Sequence, residues 1–364
     1  GNTVTKTKYR VKDDSIVFNY ANTVPISLYG QTFGVPETTN FPMMFYRMDV
    51  LANLGVDAPR TWDDLMECIP DFQANNQQVG VTYASALTTL IYQKGGTQWL
   101  YDENDYRTDY ETGERRSYYD EEYAGAQIGY GTDIALDAFQ WVCRLYTDYS
   151  FPVTFDAPNR FRTGEMPIII TDYCSMYNTL TVFATEIRGL WSFTQLPGWK
   201  NETTGEINSC SVATVTATVM LYGGTEAQKE LGWTYMMWQA TADAQANYGN
   251  RMVALVGPAA KYATANTQAL SNLSWTSSEL ASLKQQFKNL ASIPNYPGSY
   301  IITRYVQFAF LSAYNDGEDP AEALRSYIST IDKELTRKRQ EFDLSTLKPG
   351  QTPEQARAEK DAGK

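Results

Sequence analysis

Histidine is absent from this chain of 364 residues. Its absence excludes Ser-His-Asp and Cys-His catalysis, histidine proton shuttles and histidine metal ligands. The sequence also contains no phosphate-binding loop and no dinucleotide fingerprint. Cysteine is scarce, and its few positions lack the Cys-x-x-Cys spacing of zinc and dithiol redox sites: Cys68, Cys143, Cys174 and Cys210. We therefore expect neither a metal nor a cofactor, while a disulfide stays possible if the protein is secreted.

Basic residues are outnumbered, with 30 Lys and Arg against 42 Asp and Glu, and the net charge is −12. A nucleic-acid surface needs clustered cations for its phosphate contacts, so we expect no nucleic-acid partner. Long apolar runs are missing as well, and the sequence predicts no membrane span.

One stretch, residues 102–122, concentrates acidic residues, with nine of them opposed by Arg107, Arg115 and Arg116. Carboxylates at this density can bind a cation such as calcium. Their spacing does not match an EF-hand loop, which needs a central glycine and a terminal glutamate. The stretch therefore favours a solvated surface loop over a metal site.

Tyrosine and tryptophan are plentiful, at 26 and 8 residues. Most of them will fill the core and the surface, yet flat rings with a polar tip also suit sugars and other amphipathic ligands. The remaining composition is ordinary for a globular protein, with 43% hydrophobic and 20% charged residues. The chain is long enough for two domains.

Apolar β-branched runs alternate with stretches of helical periodicity, which predicts an α/β architecture. Thr61, followed three residues later by Asp64, approximates a capping box at one helix start. Asp319 and Pro320 begin the clearest helix of the chain. The main predicted elements are strands at 79–85, 189–199 and 211–223, and helices at 134–149, 226–249, 277–292, 299–317 and 319–342.

Polar clusters interrupt apolar sequence at three places: Glu37–Asn40, Tyr83–Ser85 and Thr171–Tyr173. In open α/β sheets, ligands bind beyond the carboxyl ends of the strands, so these clusters are candidates for one shared cleft. The alternative is that they only cap helices, which suits Thr171 and Asp172 equally well. The residues by themselves leave both interpretations open.

An ordered series of motifs resembles the extracellular solute-binding proteins of the maltose-binding type, which serve ABC importers. It begins with "YGQTFGVPETTNFPMMFYRMDVLANLGVDAPRTWDDL", which is similar to the family's turn, its strand with a polar site residue, and its "P-TWxEL" helix start. "FRTGEMPIIITDY", "WSFTQLPG" and "IPNYPGSYIITRYVQFAFLSAYNDGEDPAEAL" follow in the family's order. Each motif is loose, whereas their ordered run over residues 29–342 is specific.

The resemblance implies an α/β, two-lobed periplasmic-binding-protein-like fold with a hinge. Family members carry a long segment before the region that matches Tyr29, so we expect the first lobe to be incomplete here. The implied organisation is an N-terminal segment with the first hinge crossing at 1–40, a C-terminal lobe at 41–208 and 294–342, the remainder of the N-terminal lobe at 209–293, and a flexible tail at 343–364.

The resemblance also implies a ligand site. Carried over position by position, the family's contacts fall near Asn40, at Tyr83 or Ser85, at Thr171–Tyr173 and at Thr303–Arg304. Three aromatic residues are further candidates for stacking on a ligand. With these the predicted ligand-binding set is Glu37, Thr39, Asn40, Tyr83, Ser85, Trp99, Thr171, Asp172, Tyr173, Tyr177, Trp191 and Arg304.

We therefore expect a non-enzymatic protein that captures an oligosaccharide between two lobes and delivers it to the membrane subunits of an ABC transporter. It would be extracellular, as a cell-surface lipoprotein or in the periplasm, and would attach to the membrane only through a lipid anchor of the full-length protein. Two alternatives stay open. One is a carbohydrate-active enzyme with Glu37 and Asp172 as its carboxylate pair; the other is a truncated fragment that binds no ligand alone.

Overall fold

The computed structural model describes residues 13–28, 31–100, 106–108, 115–117, 127–221 and 223–342, with the single positions 355, 358, 359 and 362. Strands and helices alternate along these residues, which confirms the α/β architecture. Most of the acidic stretch at 102–122 and of the tail at 343–364 lies outside the described residues.

The strands are short, and most of them belong to two sheets. They are β1 (Ser27–Leu28), β2 (Gln31–Thr32), β3 (Gly34–Asn40), β4 (Pro42–Arg47), β5 (Val79–Gly80), β6 (Tyr106–Thr108), β7 (Arg115–Ser117), β8 (Ile168–Asp172), β9 (Trp191–Thr194), β10 (Trp199–Lys200), β11 (Ile207–Asn208), β12 (Ser211–Val219) and β13 (Leu290–Ser292).

A four-stranded sheet has the strand order β5-β8-β4-β9, and a three-stranded sheet has the order β13-β12-β3. In the first, β5 and β8 are parallel, whereas β4 is antiparallel to both of its neighbours. In the second, β12 is parallel to β13 and antiparallel to β3. Only Phe41 separates β3 from β4, so the chain changes sheet at that residue.

The helices surround these sheets. They are α1 (Tyr20–Thr23), α2 (Met48–Leu54), α3 (Trp62–Ala74), α4 (Tyr83–Gln93), α5 (Asp133–Thr147), α6 (Ala157–Thr163), α7 (Tyr173–Phe183), α8 (Glu226–Ala240), α9 (Ala242–Val256), α10 (Thr267–Leu270), α11 (Ser277–Phe287), α12 (Tyr300–Leu311) and α13 (Pro320–Glu341).

Two helix starts form as their capping residues predict. At α3, the Thr61 hydroxyl accepts the backbone N–H of Asp64, and the Asp64 carboxylate accepts the backbone N–H of Thr61, at 3.0 and 2.9 Å. At α13, the Asp319 carboxylate accepts the backbone N–H of Glu322 at 3.0 Å, and Pro320 occupies the first helical position. Both predicted caps are confirmed.

The strand predicted at 79–85 is wrong beyond Gly80. The hydroxyl of Thr82 accepts the backbone N–H of Ser85, so it caps a helix that begins at Tyr83. A capped helix start therefore takes the place of the last strand residues. Tyr83 and Ser85 consequently lie in the first turn of α4, just beyond the end of β5, rather than within a strand.

The single helix predicted at 226–249 is two helices that meet at Thr241. Thr241 has an extended backbone (φ −64°, ψ 150°), and its hydroxyl accepts the backbone N–H of Ala244, so it caps α9. Gly249, predicted to stop the helix, lies inside α9 instead. A Cβ added at Gly249 would lie 2.6 Å from Leu273 Cδ2, so close packing against Leu273 explains the glycine.

The helix predicted at 277–292 ends at Phe287, and Leu290–Ser292 forms β13. The sequence pattern does not reveal this strand because its partner is β12, some eighty positions earlier. By contrast, the predicted end at Gly317 is confirmed. Here α12 continues through a π-helical turn, and Gly317 closes it with φ 72°.

The core lies on both faces of the four-stranded sheet. Met44 points to one cluster, formed with α3, α4, α5, α12 and α13, whereas Met43 and Phe45 point to the other, formed with α7. The second cluster also contains Leu283 and Phe287 of α11. We predicted α11 with the remainder of the N-terminal lobe, whereas its buried side chains pack against the sheet that contains β4. The lobe limits stay a prediction.

Candidate functional site

Three polar segments meet at one edge of the four-stranded sheet. Parallel pairing of Val79 with Ile168 brings the carboxyl ends of β5 and β8 side by side. Antiparallel pairing of Pro42 with Asp172 brings the start of β4 to the same edge. Residues that follow β5, end β8 and precede β4 therefore lie together. We name this edge the strand-end site and define it by Asn40, Tyr83, Ser85, Thr171 and Asp172.

Asp172 is the charged residue of the strand-end site. Its carboxylate is half-buried and makes no hydrogen bond or ion pair with any described residue, and it does not cap α7. Its neighbour in the sheet, Pro42, has no N–H to offer. Burial raises the pKa of Asp172 above the usual aspartate value. A carboxylate left without donors in such a place can accept hydrogen bonds from a ligand.

Asn40 joins the two sheets at this edge. Its Oδ1 accepts the backbone N–H of Phe41 at 3.2 Å and that of Cys174, in the first turn of α7, at 3.3 Å. Its backbone carbonyl accepts the hydroxyl of Thr214 in β12 at 3.3 Å. The Nδ2 amide of Asn40 donates to no described residue. The residue therefore holds the crossing in place and keeps two donors for a ligand.

Tyr83 and Ser85 present hydroxyls from the first turn of α4. The Tyr83 ring stacks on Phe310 of α12, with 4.1 Å between ring centroids and 5° between planes. Burial raises the pKa of Tyr83, so its hydroxyl is neutral and can donate. Neither hydroxyl bonds to a described residue. The sequence did not indicate Phe310 as a residue that supports the site. Arg304, the predicted ligand contact on the same helix, is exposed on α12.

Thr171 is half-buried and immediately precedes Asp172 in β8, opposite Met43. Its hydroxyl makes no hydrogen bond with a described residue. Strands direct successive side chains to opposite faces, so Thr171 and Asp172 point to different sides of the sheet. Thr171 therefore borders the strand-end site from the side opposite Asp172.

Four other predicted residues do not reach the strand-end site. Thr39 is buried and its hydroxyl donates to Asn22 Oδ1 at 2.8 Å. Tyr173 is buried beside Phe41, with 4.6 Å between the ring centroids. Trp99 is fully buried, and its Nε1 donates to the Pro294 carbonyl at 3.1 Å. These three side chains are buried and contact other parts of the protein in this conformation, so their role as ligand contacts stays a prediction that the packing does not favour.

Glu37 is the fourth. It lies three residues before Asn40 on β3, and its Oε2 accepts the hydroxyl of Thr218 in β12 at 3.4 Å. It therefore belongs to the three-stranded sheet, whereas Asp172 ends a strand of the four-stranded sheet. No described contact joins the two carboxylates.

Tyr177 and Trp191 meet each other away from the strand ends. Their ring centroids are 5.5 Å apart at an interplanar angle of 71°. Both line an open groove of about 450 Å³ between α7, β9 and the start of α11. None of the residues that define the strand-end site lines this groove. We call it the α7 groove, and the structure thus divides the predicted set between two places.

The other flank of α7 is bonded to the chain that follows α9. Asn178 Nδ2 donates to the backbone carbonyl of Lys261 at 3.0 Å, and Asn178 Oδ1 accepts the backbone N–H of Lys261 at 3.0 Å. Cys174 Sγ also donates to the Lys261 carbonyl, at 3.1 Å, and burial raises the pKa of this thiol to about 11. Cys174 is therefore a buried thiol that stays protonated at neutral pH. All four cysteines are free in the structure.

The comparisons with known proteins decide the family. The family model described as bacterial extracellular solute-binding protein matches residues 7–246, about two thirds of the chain. This chain belongs to the bacterial extracellular solute-binding proteins. No curated protein sequence matches this solute-binding protein.

Solved structures share the fold of this solute-binding protein. Maltose-bound MalE3 of T. maritima has a TM-score of 0.63 at 18% identity, over 88% of this chain and 76% of that chain. MalE of Xanthomonas citri has a TM-score of 0.68 at 14% identity, over 92% and 78%. The cyclic alpha-maltosyl-1,6-maltose binding protein of Arthrobacter globiformis has a TM-score of 0.66 at 15% identity, over 90% and 78%. The two-lobed periplasmic-binding-protein fold is thereby confirmed.

Two further observations bear on the chemistry of this solute-binding protein. Across the described ranges, no three Asp, Glu, Cys or His side chains gather in a way that could hold a metal ion. No described helix combines the length and the apolar character that crossing a membrane requires.

Proposed function

We propose that this solute-binding protein captures a carbohydrate, most simply an oligosaccharide, between two lobes at the strand-end site. The observation that carries the proposal is the half-buried carboxylate of Asp172, which has no described partner and lies at an edge that Asn40 and Tyr83 share. Carboxylate, amide and hydroxyl groups together match the dense, mixed donors and acceptors of a sugar. The maltose named for T. maritima MalE3 supports the same ligand class.

The mechanism follows from where the chain changes sheet. Phe41 is the only residue between β3 and β4, and Asn40 bonds both to Phe41 and to α7. A ligand that contacts groups on both sides of this crossing stabilises the closed arrangement by the difference in its contact energy between the open and closed states. Delivery then requires that the membrane subunits of an ABC transporter bind the closed form of this protein.

The place of action is part of the proposal. A member of an extracellular family meets its ligand outside the cytoplasmic membrane, so we place this protein at the cell surface or in the periplasm. A lipid anchor on the full-length protein would hold it near the transporter. We propose that it is not an enzyme, because binding and release alone account for the site.

The experiment is a calorimetric titration of the protein with maltose, maltotriose and longer oligosaccharides, beside a panel of short peptides. We expect at least one oligosaccharide to bind, with heat that depends on concentration, and the peptides to give none. Binding of peptides without any response across the sugars would contradict the carbohydrate assignment. Hydrolysis of an oligosaccharide that disappears in Glu37→Gln would instead favour the enzyme.

A further inference from the structure

The α7 groove has the size and the lining of a small-molecule site. It encloses about 450 Å³, within the range of roughly 300–1,000 Å³ usual for ligand pockets. The half-buried rings of Tyr177 and Trp191 stand in one wall, and the start of α11 forms another. An amphipathic ring compound can lie against such rings with its polar edge towards solvent.

Several hydrogen-bond donors of this groove have no partner among the described residues. The guanidinium of Arg188 is exposed and bonds to no described residue, although it carries five N–H groups. The indole Nε1–H of Trp191 and the hydroxyl of Ser192 are half-buried and also bond to no described residue. Donors of this kind can bind a ligand rich in acceptors in place of solvent.

Two acceptors of the groove already have donors within the protein. The carboxylate of Glu279 accepts the backbone N–H of Thr276 at 2.9 Å in the capping box of α11. The hydroxyl of Thr181 donates to the Tyr177 carbonyl at 2.8 Å. Arg188 is the cation among the described residues that line the groove, and a planar guanidinium pairs best with a carboxylate or phosphate.

We propose that the α7 groove is a second ligand site, separate from the strand-end site, for a small sugar that carries a carboxylate, such as a hexuronate. The sugar ring lies against Trp191 and Tyr177, the carboxylate pairs with Arg188, and ring hydroxyls bond to Ser192. This site stands on residues that the strand-end site does not use, so it does not depend on the proposed function.

The test follows the indole N–H resonance of Trp191 by heteronuclear NMR while D-glucuronate is added to the full chain. The resonance is assigned from its loss in Trp191→Phe, which keeps an aromatic side chain but has no indole N–H. D-glucose is the neutral probe of similar size. We expect glucuronate to shift the resonance with saturation, and D-glucose to need about tenfold more for the same shift, since a charge-assisted bidentate pair is lost.

Variants assign the effect to the groove. Arg188→Gln is expected to raise the apparent Kd for glucuronate about tenfold, because it removes the bidentate pair. Arg251→Gln, which removes another exposed arginine on α9, should leave it unchanged. Asp172→Asn should leave it unchanged as well, even if it abolishes binding at the strand-end site.

Three results would overturn the proposal. The Trp191 resonance could stay fixed throughout the titration. It could shift equally in Arg188→Gln and in the unaltered chain, which would remove the carboxylate pair. Finally, the response to glucuronate could vanish in Asp172→Asn, which would assign the ligand to the strand-end site instead.

Discussion

Asn40 Oδ1 accepts the backbone N–H of Cys174 at 3.3 Å, across the point where the chain leaves one sheet for the other. The bond connects the last residue of β3 to the first turn of α7. A single side chain therefore fixes the sheet crossing and the helix that follows Asp172. A change in the geometry of the crossing would therefore also move the start of α7, which follows Asp172.

Two substitutions of Asn40 separate its Oδ1 acceptor, which holds the crossing, from its Nδ2 donors, which are left for a ligand. Asn40→Asp keeps the Oδ1 acceptor and removes the two Nδ2 donors, so we expect little change in unfolding free energy but weaker ligand binding. Asn40→Ala removes the acceptor as well and should cost about 0.5–2 kcal/mol, as other lost helix caps do. Urea unfolding measures both variants. Equal destabilisation by the two substitutions would show that Oδ1 does not hold the crossing.

Asp172 should reduce the stability of the ligand-free protein at neutral pH. Its pKa is raised in the folded state, so folding favours the protonated form, and stability falls as pH rises through that pKa. Asp172→Asn has no carboxyl at this position and therefore avoids this fall in stability. We expect the variant to be more stable than the unaltered chain above the raised pKa.

The measurement is a series of urea unfolding curves for both proteins between about pH 3 and pH 8, which spans the usual aspartate range and the region above it. The advantage of Asp172→Asn should shrink towards the acid end of the series, where the Asp172 carboxyl of the unaltered chain is protonated in both the folded and the unfolded state. A variant that is less stable at neutral pH would indicate that the carboxylate has a stabilising partner.

Substitutions at Tyr83 and Phe310 separate the loss of a ligand-binding hydroxyl from the loss of a buried ring. Tyr83→Phe keeps the 4.1 Å stack and removes only the hydroxyl, so stability should change by less than about 0.5 kcal/mol while ligand affinity falls. Phe310→Ala empties a fully buried position and should cost about 3–5 kcal/mol. Thermal unfolding and calorimetric titration of each variant check the two effects. Unchanged affinity in Tyr83→Phe would remove this hydroxyl from the site.

Two helical glycines should respond in opposite directions to alanine. At Gly232, in α8, an added Cβ meets nothing within 4 Å, so Gly232→Ala should stabilise by up to about 1 kcal/mol through helix propensity. At Gly249, in α9, the added Cβ would lie 2.6 Å from Leu273 Cδ2, and overpacking should cost about 1–3 kcal/mol. Denaturant midpoints of the two variants provide the comparison. Stabilisation by Gly249→Ala would mean that the Leu273 side chain can move aside for the added Cβ without cost.

Local chemistry explains which parts of the site were predictable. The polar groups after β5 and at the end of β8 stand out against apolar neighbours, and parallel pairing brings strand ends together whatever the rest of the chain does. The capping pair Thr61 and Asp64 is equally local. Tyr83 was assigned to a strand because alternation continues past Gly80, whereas the cap at Thr82 decides otherwise.

Long-range contacts explain the rest. The burial of Trp99 depends on the carbonyl of Pro294, 195 positions later, which no local pattern indicates. Thr39 is satisfied by Asn22 in a segment whose structure the sequence did not predict. Tyr177 and Trp191 stay predicted aromatic contacts, and only the packing of α7, β9 and α11 shows that they lie apart from Asp172.

The most direct test of the account is a calorimetric titration of the unaltered chain and of Asp172→Asn with the oligosaccharide that binds most strongly. We expect the variant to bind about 10- to 100-fold more weakly, because hydrogen bonds to a charged group contribute roughly 1.5–3 kcal/mol. An oligosaccharide that binds both proteins with the same Kd would contradict the assignment of the strand-end site.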